Sequence, residues 1–250
     1  MASSPHKSAS IHIGLCGSAG RMGIEIFRAA ALSADIHILR AYEIPGHRAL
    51  GTKVGDAVIE ADDTASFLEG CETLVDFSAP AESVIPHLEK AAERKVPAVV
   101  GSTGFSVEGR DRMEELARVI PILYSANMSL GVNLLIALAQ QVQELLKGVF
   151  DVDIVEIHHR AKKDAPSGTA LMIEQQLHLV DPDLSVRHHS IRAGDVVGEH
   201  TVFFTGVGER LELTHRAGSR EAFARGVLTA VRFIVGQKPG FYDLRKVLGI

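Results

Sequence analysis

Ile11-His12-Ile13-Gly14-Leu15-Cys16-Gly17-Ser18-Ala19-Gly20-Arg21-Met22-Gly23 is the stretch on which the fold turns. The first six residues read as a buried strand. Gly17, Gly20 and Gly23 follow in a GxxGxxG spacing, and Ile24, Ile26, Phe27 and Ala30 continue with a helical pattern. Strand, glycine turn, helix is the opening of a dinucleotide-binding fold. Glycines let the backbone turn sharply and approach a pyrophosphate, and the helix N-terminus faces the phosphate charge. The usual spacing is GxGxxG, so the glycines alone are a weak signal; their place between a strand and a helix strengthens it. Gly17, Ser18, Ala19, Gly20, Arg21 and Met22 are therefore expected against the cofactor, with Arg21 adding a direct phosphate contact.

A second strand, Ile36 to Tyr42, ends at Glu43, 20 residues after Gly23. An acidic side chain there is placed to accept hydrogen bonds from the adenosine ribose. Its structural alternative is a solvated strand end. Ile44 follows, where NADP-preferring sites often carry an arginine, so NADH is the expected cofactor; nearby His47 and Arg48 keep NADPH admissible. The alternation continues with strands at Thr73 to Phe77, Val96 to Val100 and Ile120 to Tyr124, and helices at Ala81 to Arg94 and Val107 to Arg118. Such alternation implies a doubly wound parallel sheet with right-handed crossovers. Three strand exits carry small or polar residues: Phe77-Ser78, Gly101-Ser102-Thr103, and Ser125-Ala126-Asn127-Met128. Each alone is an ordinary turn. Together with the glycine loop they are expected to line the crevice where the nicotinamide lies.

Glu156-Ile157-His158-His159-Arg160-Ala161-Lys162-Lys163-Asp164-Ala165-Pro166-Ser167-Gly168-Thr169 carries the second signal. Five cationisable residues fall within His158 to Lys163, in a chain with 26 Lys and Arg against 31 Asp and Glu. Runs of this kind are more often solvated surface. Here the run follows an apolar strand pattern and precedes a helix start, which suits a small anionic ligand. A metal is not expected, because adjacent histidines on an extended segment point to opposite sides and nothing nearby completes a ligand set.

The 250 residues allow one large or two medium domains. Hydrophobic residues at 46% and no Trp imply a globular protein with a mostly aliphatic core. Cys16 and Cys71 lack ligand spacing, so a reduced, cytoplasmic setting is the default. No apolar run suits a membrane span, and a net charge of −5 without further basic tracts argues against nucleic acid. After about residue 130 a long apolar helix (Leu130 to Leu146) gives way to several strands with few helices. Asp153 to His159 reads as a strand, Gly168 to Val180 as a helix, and Asp195 to His200 as a polar connector. The expected fold class is thus α/β, an N-terminal Rossmann-like sheet plus a C-terminal α+β domain with an open sheet. The expected organisation is a disordered tail at 1–10 and a dinucleotide-binding domain at 11–130. A substrate-binding and oligomerisation domain follows at 131–219, and a helix and tail at 220–250 return to the first domain.

Gly17 to Gly23, Glu43, Asp76-Phe77-Ser78, Gly101-Ser102-Thr103-Gly104, Ala126-Asn127, Gly131-Val132-Asn133, Glu156 to Thr169, and Arg192 to His200 together resemble the 4-hydroxy-tetrahydrodipicolinate reductase (dihydrodipicolinate reductase) family. The resemblance covers nearly the whole chain from Ile11 on. It implies nicotinamide-dependent reduction of a cyclic imine dicarboxylate in the diaminopimelate route to lysine, by a homo-oligomer, usually a tetramer. It further implies His158 as proton donor or acceptor and Lys162 as the second donor in His-His-x-x-Lys. His159 becomes a substrate contact, and Ser167, Gly168 and Thr169 clamp a substrate carboxylate. Gly17 to Met22, Glu43, Phe77, Gly101 to Thr103 and Ser125 to Met128 become the cofactor contacts. Ala19 stands where many members have glycine, Met128 where an aromatic is common, and Ile44 where dual-specificity members have arginine. Two other readings stay open: another two-domain NAD(P) dehydrogenase, and a non-catalytic dinucleotide sensor, which would need neither His158 nor Lys162.

Overall fold

The computed structural model describes residues 10–250, so the tail expected at 1–10 lies, apart from Ser10, outside the described residues. The chain divides into two compact units. One comprises the residues up to Met128 together with Phe223–Val247, the other Ser129–Ala222 with Leu248–Ile250.

The first unit runs β1 (Ile11–Cys16), α1 (Arg21–Ala31), β2 (Ile36–Glu43), β3 (Lys53–Val54), β4 (Ala57–Ala61), β5 (Thr73–Asp76), α2 (Val84–Arg94), β6 (Ala98–Val100), α3 (Val107–Ala117) and β7 (Pro121–Tyr124). A single turn of 3₁₀ helix, Ala81–Ser83, leads into α2. The second unit adds α4 (Leu130–Leu146), β8 (Asp151–His158), α5 (Gly168–His178), β9 (Val186–Arg192), β10 (Gly198–Gly206) and β11 (Glu209–Ala217). The chain closes with α6 (Glu221–Ile234), β12 (Gly240–Tyr242) and α7 (Leu244–Leu248).

The large sheet has the order β12-β7-β6-β5-β1-β2-β4-β3. It is parallel except for the antiparallel β3–β4 pair. Thr73–Asp76 and Ala98–Val100 are buried at every position, as strands covered on both faces must be. Leu74, Ala98, Val100 and Ile122 pack with α2 and α3 through Leu88, Ala91, Met113 and Leu116. On the edge side, Ala41, Ala57 and Ile59 pack with Phe27 of α1. Each fully buried Leu, Ile, Val or Met side chain among them stabilises the fold by roughly 1.5–3 kcal/mol relative to exposure. Arg232 of α6 holds Asp35, just before β2, through bonds of 2.8 Å from Nε and Nη2.

The smaller sheet has the order β11-β10-β8-β9. β8 and β9 are parallel, the other two pairs antiparallel. Val152, Ile154, Val202 and Phe204 face α4 and α5, where Leu135, Ile136, Ala139, Ile173 and Leu177 complete the core. One expectation is corrected here. Gly198 to His200 do not belong to a connector; they pair with Ala217 to His215 on one side, and Glu199 and His200 pair with Ile157 and Glu156 on the other. Ladder hydrogen bonds on both sides outweigh the low strand preference of glycine.

Candidate functional site

In the first unit the chain leaves β1, builds β2 on one side, and later places β5 on the other. That reversal of strand order opens a crevice at the carboxyl ends of the strands. A cavity of about 280 Å³ lies there, lined by Gly17, Ala19, Gly20, Glu43, Ile44, His47, Asp62, Phe77, Ser78 and Ala79. Gly17 turns the loop with φ +70°, and a Cβ on it would stand 2.8 Å from the Phe77 carbonyl, so only glycine fits between these two exits. Glu43 Oε1 accepts from Ala19 N–H at 2.7 Å, tying the glycine loop to the end of β2. Ser18 is buried, and its hydroxyl donates to the Tyr42 carbonyl. Arg21 and Met22 open α1.

The start of α1 differs from those of α3, α4 and α5. Those three carry serine caps: Ser106 accepts from Gly109 N–H, Ser129 from Val132 N–H, Ser167 from Ala170 N–H. Gly20 caps α1 without a side chain, and the first turn of α1 has no acidic residue. A helix start of this kind suits a phosphate. A nucleotide with a hydroxyl-bearing ribose therefore fits the residues present, with Glu43 at the ribose end and the α1 N-terminus at the pyrophosphate.

The other expected cofactor residues lie on adjacent exits. Ser102 Oγ donates to the Ser78 carbonyl at 2.7 Å, which joins the exits of β5 and β6. Gly101 and Thr103 flank it. Ser125 Oγ donates to the Asn127 carbonyl at 2.8 Å within the turn after β7, and Met128 is buried there beyond Ala126 and Asn127. Among the described residues one group, Cys16, Asp76 and His87, has three metal-ligating side chains with donor atoms within 4.8 Å of one another. Both His87 nitrogens face carboxylates, and burial pushes the Cys16 thiol pKa well up, so the group fits a hydrogen-bonded network better than an ion.

In the second unit His158 ends β8 and is buried. Its Nδ1 bonds the Glu156 carboxylate, so Nε2 is the nitrogen turned away from that carboxylate. Glu156 is itself fully buried and forked by Arg192, Nη1 at 2.8 Å and Nη2 at 2.7 Å. Arg192 ends β9, and the register of the parallel pair sets it opposite His158. Its Nη2 also donates to the Asp164 carbonyl at 2.6 Å, pinning the loop that carries Lys162. Burial alone would raise the Glu156 pKa, but Arg192, Ser190 and His158 outweigh it and hold it at about 2. Burial lowers the His158 pKa; Glu156 opposes this, while Lys162 and Arg192 reinforce it. A Cβ on Gly198 would lie 2.9 Å from His158 Nε2, so β10 passes the ring only as glycine.

His159 is half-buried, and its carbonyl accepts from Lys162 N–H at 3.1 Å in the turn that brings Lys162 back. Lys162 Nζ donates to Asp164 Oδ2 at 2.8 Å. The Asp164 carboxyl is held below its usual range by Lys162 and also by the Gly168 N–H. Ser167 caps α5, Gly168 is its first residue and Thr169 its second. Below them His200 Nε2 lies 3.0 Å from Ser167 Oγ, and its ring meets that of His158 edge-on at 5.1 Å. Lys163 is exposed. The expected residues of each unit thus gather locally. Glu156, Arg192 and His200 stand in the blocks that carry the resemblance, but no role in the site was expected of them. Glu156 was the legible one, since residues two apart on a strand share a face.

The dihydrodipicolinate reductase N-terminus family matches residues 11–128, and the dihydrodipicolinate reductase C-terminus family matches residues 131–248. The 4-hydroxy-tetrahydrodipicolinate reductase of Geobacter sulfurreducens is 41% identical, over 95% of this chain and 98% of its own. That of Geotalea daltonii is 39% identical, over 96% of this chain and 99% of its own. A solved structure of a dipicolinate-bound dihydrodipicolinate reductase from Paenisporosarcina sp. TG-14 is similar with a TM-score of 0.81 at 22% identity, over 95% of this chain and 99% of that one. A glycine loop at the switch point of one unit, a His-His-x-x-Lys turn in the other, and identity to these reductases along almost the full length agree: the chain belongs to the dihydrodipicolinate reductase family.

Proposed function

We propose that the protein reduces 4-hydroxy-tetrahydrodipicolinate (the dihydrodipicolinate level of oxidation) to tetrahydrodipicolinate, a step of the diaminopimelate route to lysine. One observation carries the reading to these residues. Lys162 Nζ already donates to a carboxylate, that of Asp164, at 2.8 Å beside the start of α5. The start of α5 is thus equipped for the carboxylate of a cyclic dicarboxylate, with Ser167 and Thr169 beside it and His159 as a further contact. Charge-assisted hydrogen bonds of this type contribute about 1.5–3 kcal/mol each.

A reduced nicotinamide dinucleotide supplies the hydride. Gly17 to Met22, Glu43, Phe77, Gly101 to Thr103 and Ser125 to Met128 hold it in this reading. The ring 4-hydroxyl first leaves as water, which gives the conjugated dihydro imine; hydride then adds to its electrophilic ring carbon, and the electron pair moves into the ring. One proton completes the reduction. Lys162 carries it as an ammonium, and His158 Nε2 is the second site able to hold and release it, with Nδ1–H fixed on Glu156. NADH is the preferred cofactor in this proposal, because Ile44 lines the cavity beside Glu43 where a cation would be needed for a 2′-phosphate. His47 also lines it, and for that reason NADPH is admitted at lower efficiency.

The test is NADH oxidation with substrate generated from pyruvate and aspartate semialdehyde, repeated with NADPH. Turnover is expected with both, with the larger kcat/KM for NADH. Lys162→Ala should lower kcat by about 10²–10⁴ with little change in NADH affinity. No turnover despite NADH binding would return the protein to the other two readings, another NAD(P) dehydrogenase or a sensor.

A further inference from the structure

His87 has no part in the reaction just described, yet it lies under the dinucleotide crevice. It is on α2 and 4% exposed. Its Nδ1 is 2.7 Å from Asp76 Oδ2 and its Nε2 is 3.1 Å from Asp62 Oδ2. A neutral imidazole has one N–H and would turn a lone pair toward the second carboxylate. Only the imidazolium donates to both. The surroundings agree. Burial works against the charge, but Asp76 and then Asp62 outweigh it and raise the His87 pKa. The other charged or titratable groups around it are Lys90, whose Nζ donates to the Asp62 carbonyl at 2.8 Å, and the buried thiol of Cys16, whose pKa burial pushes well up. The Phe67 ring stacks on the imidazole at 5.5 Å.

The two carboxylates lead to opposite walls of the crevice. Asp76 ends β5, and its Oδ1 accepts from Ser78 N–H at 2.8 Å. Ser78 lines the cavity and is bonded in turn to Ser102. Asp62 follows β4, lines the cavity directly, and donates its N–H to the Glu43 carbonyl at 3.0 Å. His87 is therefore the tie between the Glu43–Asp62 wall and the Phe77–Ser78 wall.

We propose that His87 is a positioning residue for the dinucleotide, holding Asp62 and Asp76, and through them both walls of the crevice, at the separation that the cofactor requires. The proposal rests on the dinucleotide reading above. It touches affinity for the cofactor and leaves the chemical step alone. Deprotonation of His87 removes one of its two bonds, so the walls loosen as the pH rises and cofactor affinity falls. Asp62→Asn changes this, because the Asn amide can donate to a neutral Nε2 while Nδ1–H stays on Asp76.

The experiment measures KM for NADH, kcat and NADH binding by fluorescence between about pH 7 and pH 9.5, for wild type, His87→Ala, His87→Gln and Asp62→Asn. In His87→Ala, KM and Kd for NADH are expected to rise about tenfold or more, the effect of removing a charged donor from a buried carboxylate. kcat at saturating NADH should stay within about threefold, since the interaction is the same in ground and transition states. His87→Gln, which keeps a donor for one carboxylate, should fall between. Wild-type KM should climb toward alkaline pH, and Asp62→Asn should flatten that climb. Folded His87→Ala with wild-type NADH affinity would overturn the inference, as would a loss confined to kcat. Should neither His87 variant fold, the alkaline climb and its loss in Asp62→Asn decide the matter, and a climb as steep in Asp62→Asn as in wild type would overturn it. Wild type that fails to bind NADH would instead sink the dinucleotide reading on which this rests.

Discussion

At the residue scale Glu156 orients His158 and supports its protonation. The buried carboxylate fixes the ring through Nδ1 and is the one neighbour that favours the imidazolium; burial, Lys162 and Arg192 all disfavour it. Glu156→Gln removes that support and leaves Arg192 without its charge partner. The His158 pKa then falls further. If protonated His158 takes part in completing the reduction, the limb of kcat that it controls moves to lower pH. The expected loss of kcat near neutral pH is about tenfold or more. A kcat–pH profile checks this, and an unmoved limb with full activity would reduce Glu156 to a packing role. Part of the arrangement was legible beforehand. Glu156 and His158 share a strand face by the period of two. Arg192 did not follow, because its approach depends on the parallel register of β8 and β9.

At the element scale, β10 and the start of α5 are coupled through His200 and Ser167. His200 is buried, and burial first, then the neighbouring His158, pushes its pKa down to about 3. An unfolded histidine titrates near about 6.5. Between these values the unfolded chain binds the proton and the folded one does not. Stability is therefore complete above about pH 6.5 and is lost as the pH falls toward 3, by up to about 1.4 kcal/mol per pH unit. Thermal unfolding midpoints should drop between about pH 7 and pH 5 in wild type and drop less in His200→Gln. An equal drop in both would place the acid sensitivity elsewhere. Elements with strong periodicity were readable, among them α4, α6 and the β1–α1 opening. The β3–β4 hairpin was not, because β3 is two residues long and exists by pairing with β4. β12 likewise owes its form to β7. The expected end of the helix after Pro166 was two residues late, a shift usual at fraying termini.

On the scale of the whole molecule, the smaller sheet leaves a face without cover from its own unit. Val155, Ile157 and Phe203 are half-buried on it and Ile191 is exposed, opposite the face that packs on α4 and α5. Thr201 and Thr214 bond across it at 3.0 Å. The homo-oligomer expected above can be tested at this face. Phe203→Asp should shift the mass in light scattering to a smaller species. An unchanged mass would place the contact elsewhere, and a monomeric wild type would remove it. No helix among the described residues is long and apolar enough to cross a membrane.

Features contained within a few residues were determined by the sequence itself. The strand, glycine turn and helix from Ile11 on, the acidic end of β2, and the His-His-x-x-Lys turn before a serine cap each follow from local sterics, hydrogen-bonding capacity and charge. Only the tertiary structure decided which distant groups set their chemistry. Arg192 reaches Glu156 across 36 residues, and His87 reaches Asp62 across 25 and Asp76 across 11. Strand register and the seating of α2 on the sheet bring these groups together. Burial then turns their meeting into strong, directional contacts, because there water no longer competes for the charge.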